Sequence, residues 1–247
     1  MIDNTIIAAN KEQRKALVFS LTFPSLHLVE MASHVGFEAV YIDGEHGYFS
    51  SESIDDICRV ANGYGMSVTA RVPDSSAYWI NLFLDRGVQG ITGPHINTGE
   101  EAQSLADACL FPPAGKRSWG GGRGTEFNDS VIIENKFGGK LGFAKWSNAN
   151  MQIWAQIESK TAWENLDDIL KVEGLTGITG GPHDLAASIG YPGQPDHKER
   201  VKITEDANSR ARMAGKQVSS DVSTGTGISE LMLGTARDLV NKNKTLS

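Results

Sequence analysis

Cysteine is almost missing from this sequence. Two thiols, Cys58 and Cys109, occur in 247 residues, and neither lies in a CxxC arrangement. That excludes a disulfide framework and a local thiolate zinc motif, and it fits small buried cysteines in a reducing compartment. Basic clusters are also missing. Acidic residues outnumber Lys and Arg by 30 to 23, for a net charge of -7, which argues against nucleic acid or an anionic membrane as the main partner. No apolar run approaches the roughly 20 residues of a membrane span. The opening Met1-Ile-Asp-Asn-Thr has no basic segment leading into an apolar stretch, so no secretory signal is read and the cytoplasm is the expected compartment.

Short β-branched runs alternate with helical stretches along the whole chain. Strands are expected at Ala16–Leu21, Glu38–Asp43, Ser67–Val72, Gly90–Pro94, Gln152–Glu158, Gly174–Thr179 and Gln217–Ser220. Their apolar residues are continuous rather than alternating, the mark of parallel strands covered on both faces. Helical patterns fall at Ser51–Tyr64, Ala77–Arg86, Thr98–Leu110 and Thr161–Lys171, with Ser51-Glu-Ser-Ile and Thr98-Gly-Glu-Glu as polar, acidic starts. No composition break divides the chain, so residues 1–247 are expected to form one α/β domain. A TIM (β/α)8 barrel suits this length best. A doubly wound open sheet is the rival, weakened because no GxGxxG follows the first strand.

Residues 111–127 break the alternation, with five glycines and two prolines. Long irregular segments in compact domains serve as lids or binding loops, or simply as connectors. The arginines and Trp119 favour a loop that contacts something.

In a barrel the working residues stand at the C-terminal ends of the strands. Here strand two ends in Asp43-Gly-Glu-His46-Gly, strand three in Arg71 and strand four in Gly93-Pro-His95. Strand five ends in Gln156-Ile-Glu158, and strand six runs into Gly181-Pro182-His183-Asp184. Alone, Glu158 and Asp184 read as readily as helix caps. As a pair on neighbouring strand ends they suit Mg²⁺ or Mn²⁺, which prefer oxygen ligands. Arg71 is either a structural partner of Asp43 or a fork for an enolate or carboxylate oxygen. His46 is a candidate acid/base, having an ordinary pKa near ~6.5. His95 and His183 have no zinc spacing around them. The strand ends carry no lysine for a Schiff base, and Lys160 lies past Glu158 at a helix start. A metal, an arginine and a histidine around one pocket suit carbanion chemistry beside a carbonyl.

These segments, with Phe111-Pro-Pro-Ala-Gly-Lys-Arg-Ser and Ala187-Ser-Ile-Gly-Tyr-Pro-Gly-Gln-Pro-Asp196-His197, resemble the HpcH/HpaI aldolase family of class II 4-hydroxy-2-oxoheptanedioate aldolases, in register from about Ala16 to Gly215. The resemblance implies a TIM barrel that assembles into homo-oligomers, hexamers or trimers, by exchanging C-terminal helices. It implies a divalent metal (Mg²⁺, Mn²⁺ or Co²⁺) on Glu158 and Asp184, and enolate stabilisation by Arg71. It implies His46 as acid/base, oriented by Asp43 or Asp85, and a pyruvate pocket lined by Gln156, Gly181, Pro182 and His183. The expected reaction is reversible cleavage of a 4-hydroxy-2-oxo acid to pyruvate and an aldehyde. Decarboxylation, another lyase reaction of the same enolate, and a non-catalytic 2-oxo acid-binding barrel are the alternatives. Three departures from the family pattern stand out. His183 replaces a small apolar residue. Thr92-Gly93 and Thr179-Gly180 replace bulky ones and are expected to widen the mouth. The C-terminal part leaves too little chain for a full helix seven and strand eight.

Overall fold

The computed structural model describes residues 1–244. Among them, eight strands form one parallel sheet: β1 (Ala16–Leu21), β2 (Ala39–Asp43), β3 (Ser67–Arg71), β4 (Gly90–Gly93), β5 (Gln152–Ile157), β6 (Gly177–Gly180), β7 (Gln217–Val218) and β8 (Ser223–Gly227). The order β7-β6-β5-β4-β3-β2-β1-β8 brings the last strand back to the first, curling the sheet into a TIM-like α/β barrel. No ladder joins β7 to β8, so the barrel carries a seam there.

The continuous apolar runs have the expected cause: each strand is covered on both faces. On β5, Ile153, Ala155 and Ile157 point outward into the main core, while Gln152, Trp154 and Gln156 line the lumen. The same alternation sends Val40 and Ile42 outward and Tyr41 inward on β2, and Val68 and Ala70 outward with Thr69 inward on β3. The main core packs strands against α2 (Leu26–Val35), α3 (Ser51–Gly63), α4 (Ala77–Asp85) and α5 (Gly99–Cys109). Each fully buried Ile, Leu or Val there contributes about 1.5–3 kcal/mol. The expected starts are present. Thr98 and Glu101 form a reciprocal capping box on α5, and Ser50 caps α3 one residue before Ser51.

A short helix, α1 (Thr5–Lys11), closes the bottom of the barrel. Its cap Asn4 is 1 % exposed. The Asn4 Oδ1 accepts from the Ile6 and Ile7 amides, and its Nδ2 donates to Gln89 O and Asn150 O. Ile6 then seats among Val18, Trp154 and Val222.

The irregular loop does contact something, and it is the rest of the chain. Phe111 packs with Phe143 and Trp119 against α6 (Ser130–Phe137) and α7 (Lys140–Ala149). Arg117 is 5 % exposed, and its guanidinium lies 4.4 Å over the Phe111 ring. Arg123 donates two hydrogen bonds to Asp55. Arg117 and Trp119 anchor a satellite core, and Arg123 ties the loop to α3.

Past β5 come α8 (Lys160–Glu164), α9 (Leu166–Leu170), α10 (Pro182–Ser188) and α11 (Lys198–Met213). The C-terminal expectation is half right. Helix seven shrinks to one turn, α12 (Ser219–Val222), but strand eight is present, followed by α13 (Ile228–Lys244). Ser-Thr-Gly-Thr-Gly has no hydrophobic period to announce a strand. It fits because Gly225 lies so close to β1 that a Cβ there would come within 1.9 Å of Val18 O.

Candidate active site

The β2–β3 register places Asp43 directly beside Arg71 at the C-terminal rim. Arg71 donates from Nε to Asp43 Oδ1 at 3.0 Å and from Nη2 to Oδ2 at 2.7 Å. Its Nη1 lies 2.8 Å from Glu45 Oε2. A guanidinium has five N–H groups. Two are spent on Asp43, and Nη1 meets Glu45 as an ion pair without a hydrogen bond, so N–H groups on both terminal nitrogens stay free for a ligand. Burial alone would raise the Asp43 carboxyl, but the Arg71 hydrogen bonds and charge hold it below the usual range. Burial likewise works against the Arg71 charge and is outweighed by its acidic partners. Beneath it, burial pushes the Tyr41 phenol up to about 12.

Glu45 continues the chain of contacts, its Oε1 lying 3.2 Å from His95 Nε2. The His95 backbone has φ +53°, a left-handed conformation that points its N–H at Glu158 Oε1, 2.7 Å away; its Nδ1 is 3.1 Å from the same oxygen. Glu158 stands just past β5 with a side chain 2 % exposed. Its Oε2 accepts from Gln156 Nε2 at 2.7 Å. Burial raises the Glu158 carboxyl, and the charges of Glu45 and Asp184 push the same way against the His95 hydrogen bond. Asp184 sits exposed in the first turn of α10, behind Pro182. Gly181 supplies the close approach: a Cβ there would fall 2.2 Å from Glu158 Oε2 and 3.0 Å from Gln156 Nε2. His183 is exposed at the rim. Among the described residues, no lysine or arginine forms an ion pair with Glu158 or Asp184, and no three Asp, Glu, His or Cys side chains converge closely enough to hold a metal by themselves.

Asp43, Arg71, Gln156, Gly181, Glu158 and Asp184 thus share one rim. His46 is nearby but differently held. Its side chain is 65 % exposed, its ring is 4.0 Å from Glu45, and Asp43 accepts from its backbone amide. Asp85 is not brought to His46 within this chain. It ends α4 against Gly120 and Gly122, feels Arg117 and Arg86, and is raised by burial.

Sequence reasoning overlooked Glu45 as a participant and weighed His95 only as a zinc ligand. The signal for Glu45 was its place between Asp43 and His46 in a turn that two glycines make tight. A Cβ at Gly44 would lie 2.6 Å from Arg71 O, and one at Gly47 would lie 2.4 Å from Asp43 O. The widened mouth is not found. Thr92 and Thr179 line the lumen, so alternation turns positions 93 and 180 away from it. A Cβ at Gly93 would meet Leu105 of α5 at 2.8 Å, while Gly180 has nothing within 4 Å.

Residues 15–241 match the model of the HpcH/HpaI aldolase/citrate lyase family. The chain is 33 % identical over 196 residues to the 2-keto-3-deoxy-L-rhamnonate aldolases of Shigella sonnei (strain Ss046) and Escherichia coli (strain K12), covering 79 % of this chain and 70 % of each relative. Among solved structures it is similar to an HpcH/HpaI aldolase from Desulfitobacterium hafniense DCB-2 (TM-score 0.81, 23 % identity, 93 % of both chains). A family protein from Burkholderia cenocepacia J2315 also has TM-score 0.81, at 20 % identity, over 96 % of this chain and 99 % of that one.

Proposed function

This chain belongs to the HpcH/HpaI aldolase/citrate lyase family, and from that premise we propose that it is a divalent-metal-dependent aldolase cleaving a 4-hydroxy-2-oxo acid reversibly to pyruvate and an aldehyde. That it is a carbon–carbon lyase follows from the family and the relatives. The observation that carries the finer reading is a forked arginine on the same rim as a buried carboxylate, Glu158, that among the described residues no lysine or arginine neutralises.

The charge balance explains the need for a cation. With Asp43, Glu45, Glu158 and Asp184 ionised, Arg71 offsets one of four carboxylates around one rim. An anionic 2-oxo acid would be repelled from such a site. Glu158 and Asp184 are the residues that would hold Mg²⁺, Mn²⁺ or Co²⁺; two oxygen donors with room for water and substrate suit these ions. When bound, the ion supplies Lewis-acid polarisation of the 2-oxo group. Arg71 directs the N–H groups that Asp43 leaves free at the oxygen where charge develops. His46, at the exposed mouth, takes the proton of the 4-hydroxyl. The C3–C4 bond then breaks, its electrons pass to the enolate oxygen and the aldehyde leaves. Protonation of the enolate at C3 gives pyruvate. Gln156 holds Glu158 in place, and the Gly181–His183 backbone walls the pocket.

Pyruvate release from 2-keto-3-deoxy-L-rhamnonate and simpler 4-hydroxy-2-oxo acids, coupled to lactate dehydrogenase, tests this. Release is expected with Mg²⁺, Mn²⁺ or Co²⁺ and not after chelation. Glu158→Gln should lower it at least ~10²-fold, the scale of losing one electrostatic element. Undiminished release in the chelated wild type would remove the metal from the account. Pyruvate from oxaloacetate alone would favour the decarboxylation reading. None from any substrate would leave a binding-only barrel.

The same reading extends to assembly. α13 has no buried residue and exposes Leu231, Met232, Leu233, Leu239 and Val240. The working form is a homo-oligomer, a hexamer or trimer, in which a second copy covers this helix. The net charge of -7 and the absence, among described residues, of a helix able to cross a membrane fit a cytoplasmic enzyme acting on small anions.

A further inference from the structure

The geometry points to a second binding site, inside the barrel beneath the rim: a chamber that holds a cluster of about four buried water molecules. A cavity of about 120 Å³ occupies the lumen, and a water takes roughly 30 Å³. It runs down from the site: Thr92 and Thr179 stand level with Arg71 and Gln156 across the strands, and Tyr41, Thr69 and Trp154 lie one layer lower, two residues before Asp43, Arg71 and Gln156.

Its walls are the reason to fill it with water. The interior of such a barrel is ordinarily closed by layers of branched aliphatic side chains. Here the strands present Tyr41, Thr69, Thr92, Gln152 and Thr179 beside the Trp154 ring, and Ile6, Val18 and Val222 are the aliphatic part of the wall. The protein satisfies these polar groups in part. Ser219 Oγ donates to Thr179 Oγ1 at 2.9 Å, and Ser223 Oγ reaches Ser219 O at 3.4 Å. Gln152 is 2 % exposed, and its Oε1 has no partner in the protein. A buried amide oxygen left unpaired costs about 1–3 kcal/mol. An empty chamber would leave that cost standing, whereas water removes it.

The seam explains why the chamber exists. β7 and β8 are not bonded to each other, and one helical turn, α12, spans the gap. Ser219 and Ser223 stand at that gap, and their short side chains leave the space beside them open. The chamber does not depend on the aldolase reading, because its hydration is measured without turnover.

Oxygen-17 relaxation dispersion on the full chain counts long-lived internal waters. Ser219→Leu, which fills the chamber, should lose about three to four of them relative to wild type, the number the volume holds. A gentler variant, Thr69→Val, removes one hydroxyl at constant volume and keeps the fold. A crystal structure of it should show at least one water fewer in the lumen, beside the ordered waters expected near Gln152 in the wild type. Xenon under pressure should not enter. An unchanged water count in Ser219→Leu, an unchanged lumen in Thr69→Val, or xenon seated among Ile6, Val18 and Val222 would each overturn the proposal.

Discussion

Arg71 and Asp43 form the best-defined pair at the rim, with side chains 14 % and 15 % exposed. A bidentate, charge-assisted pair of this kind contributes about 1.5–3 kcal/mol. The sign of its pH dependence follows from Asp43. Its folded-state pKa is depressed, so the stabilisation is present above the unfolded value of about 3.9 and is lost as pH falls through the folded value. Asp43→Asn should therefore lower stability by about 1–3 kcal/mol at pH 7, and the gap to wild type should close below about pH 4. Urea melts at pH 7, 5 and 3 check this; a gap unchanged at pH 3 would mean that the carboxylate charge is not what Arg71 needs. At this scale the sequence showed which residues end the strands, because strand ends are punctuated by Gly and Pro. It could not show that Glu45 and His95 link the two halves of the rim. That link depends on a left-handed backbone at His95, a conformation that histidine enters more often than most residues but still too rarely to be read from sequence.

Elements were legible where their cores are apolar. β1 runs Ala16–Leu21 as read, and β2 through β5 differ by single residues at their ends. β8 and the pair α6 and α7 were not legible. The first is a polar, glycine-rich strand held by a close backbone approach. The second pair buries one cluster, Phe111, Ile133, Phe143 and Ala144, supplied jointly with the loop before it. Arg117 tests that assignment. Burial lowers its guanidinium to about 10, with no carboxylate bonded to it. Arg117→Met keeps volume without a buried charge and should stay within about 1 kcal/mol of wild type. Arg117→Ala should cost about 2–4 kcal/mol through the space it opens beneath Phe111. If both variants melt with wild type, the loop is not packed as described.

The whole molecule is a barrel closed in two places by different means. The bottom is plugged by α1 through Asn4, and the seam between β7 and β8 is bridged by a single turn. The parallel sheet followed from the strand–helix alternation. Its incomplete closure followed from counting the residues left after Gln217. Neither shows what covers α13, whose apolar side chains face outward. A double substitution, Met232→Glu with Leu239→Glu, should shift the assembly toward monomer in sedimentation velocity while far-UV dichroism stays unchanged. An unshifted oligomer would place the interface elsewhere.

In the proposed reaction Arg71, with a divalent cation on Glu158 and Asp184, stabilises a pyruvate enolate. Exchange of pyruvate methyl protons with D₂O, followed by proton NMR, reads enolate formation without an acceptor aldehyde. Exchange is expected in the wild type with Mg²⁺, none after chelation, and a fall of at least ~10²-fold in Arg71→Ala and in Glu158→Gln. Exchange at the wild-type rate in Arg71→Ala, or in the chelated enzyme, would contradict it.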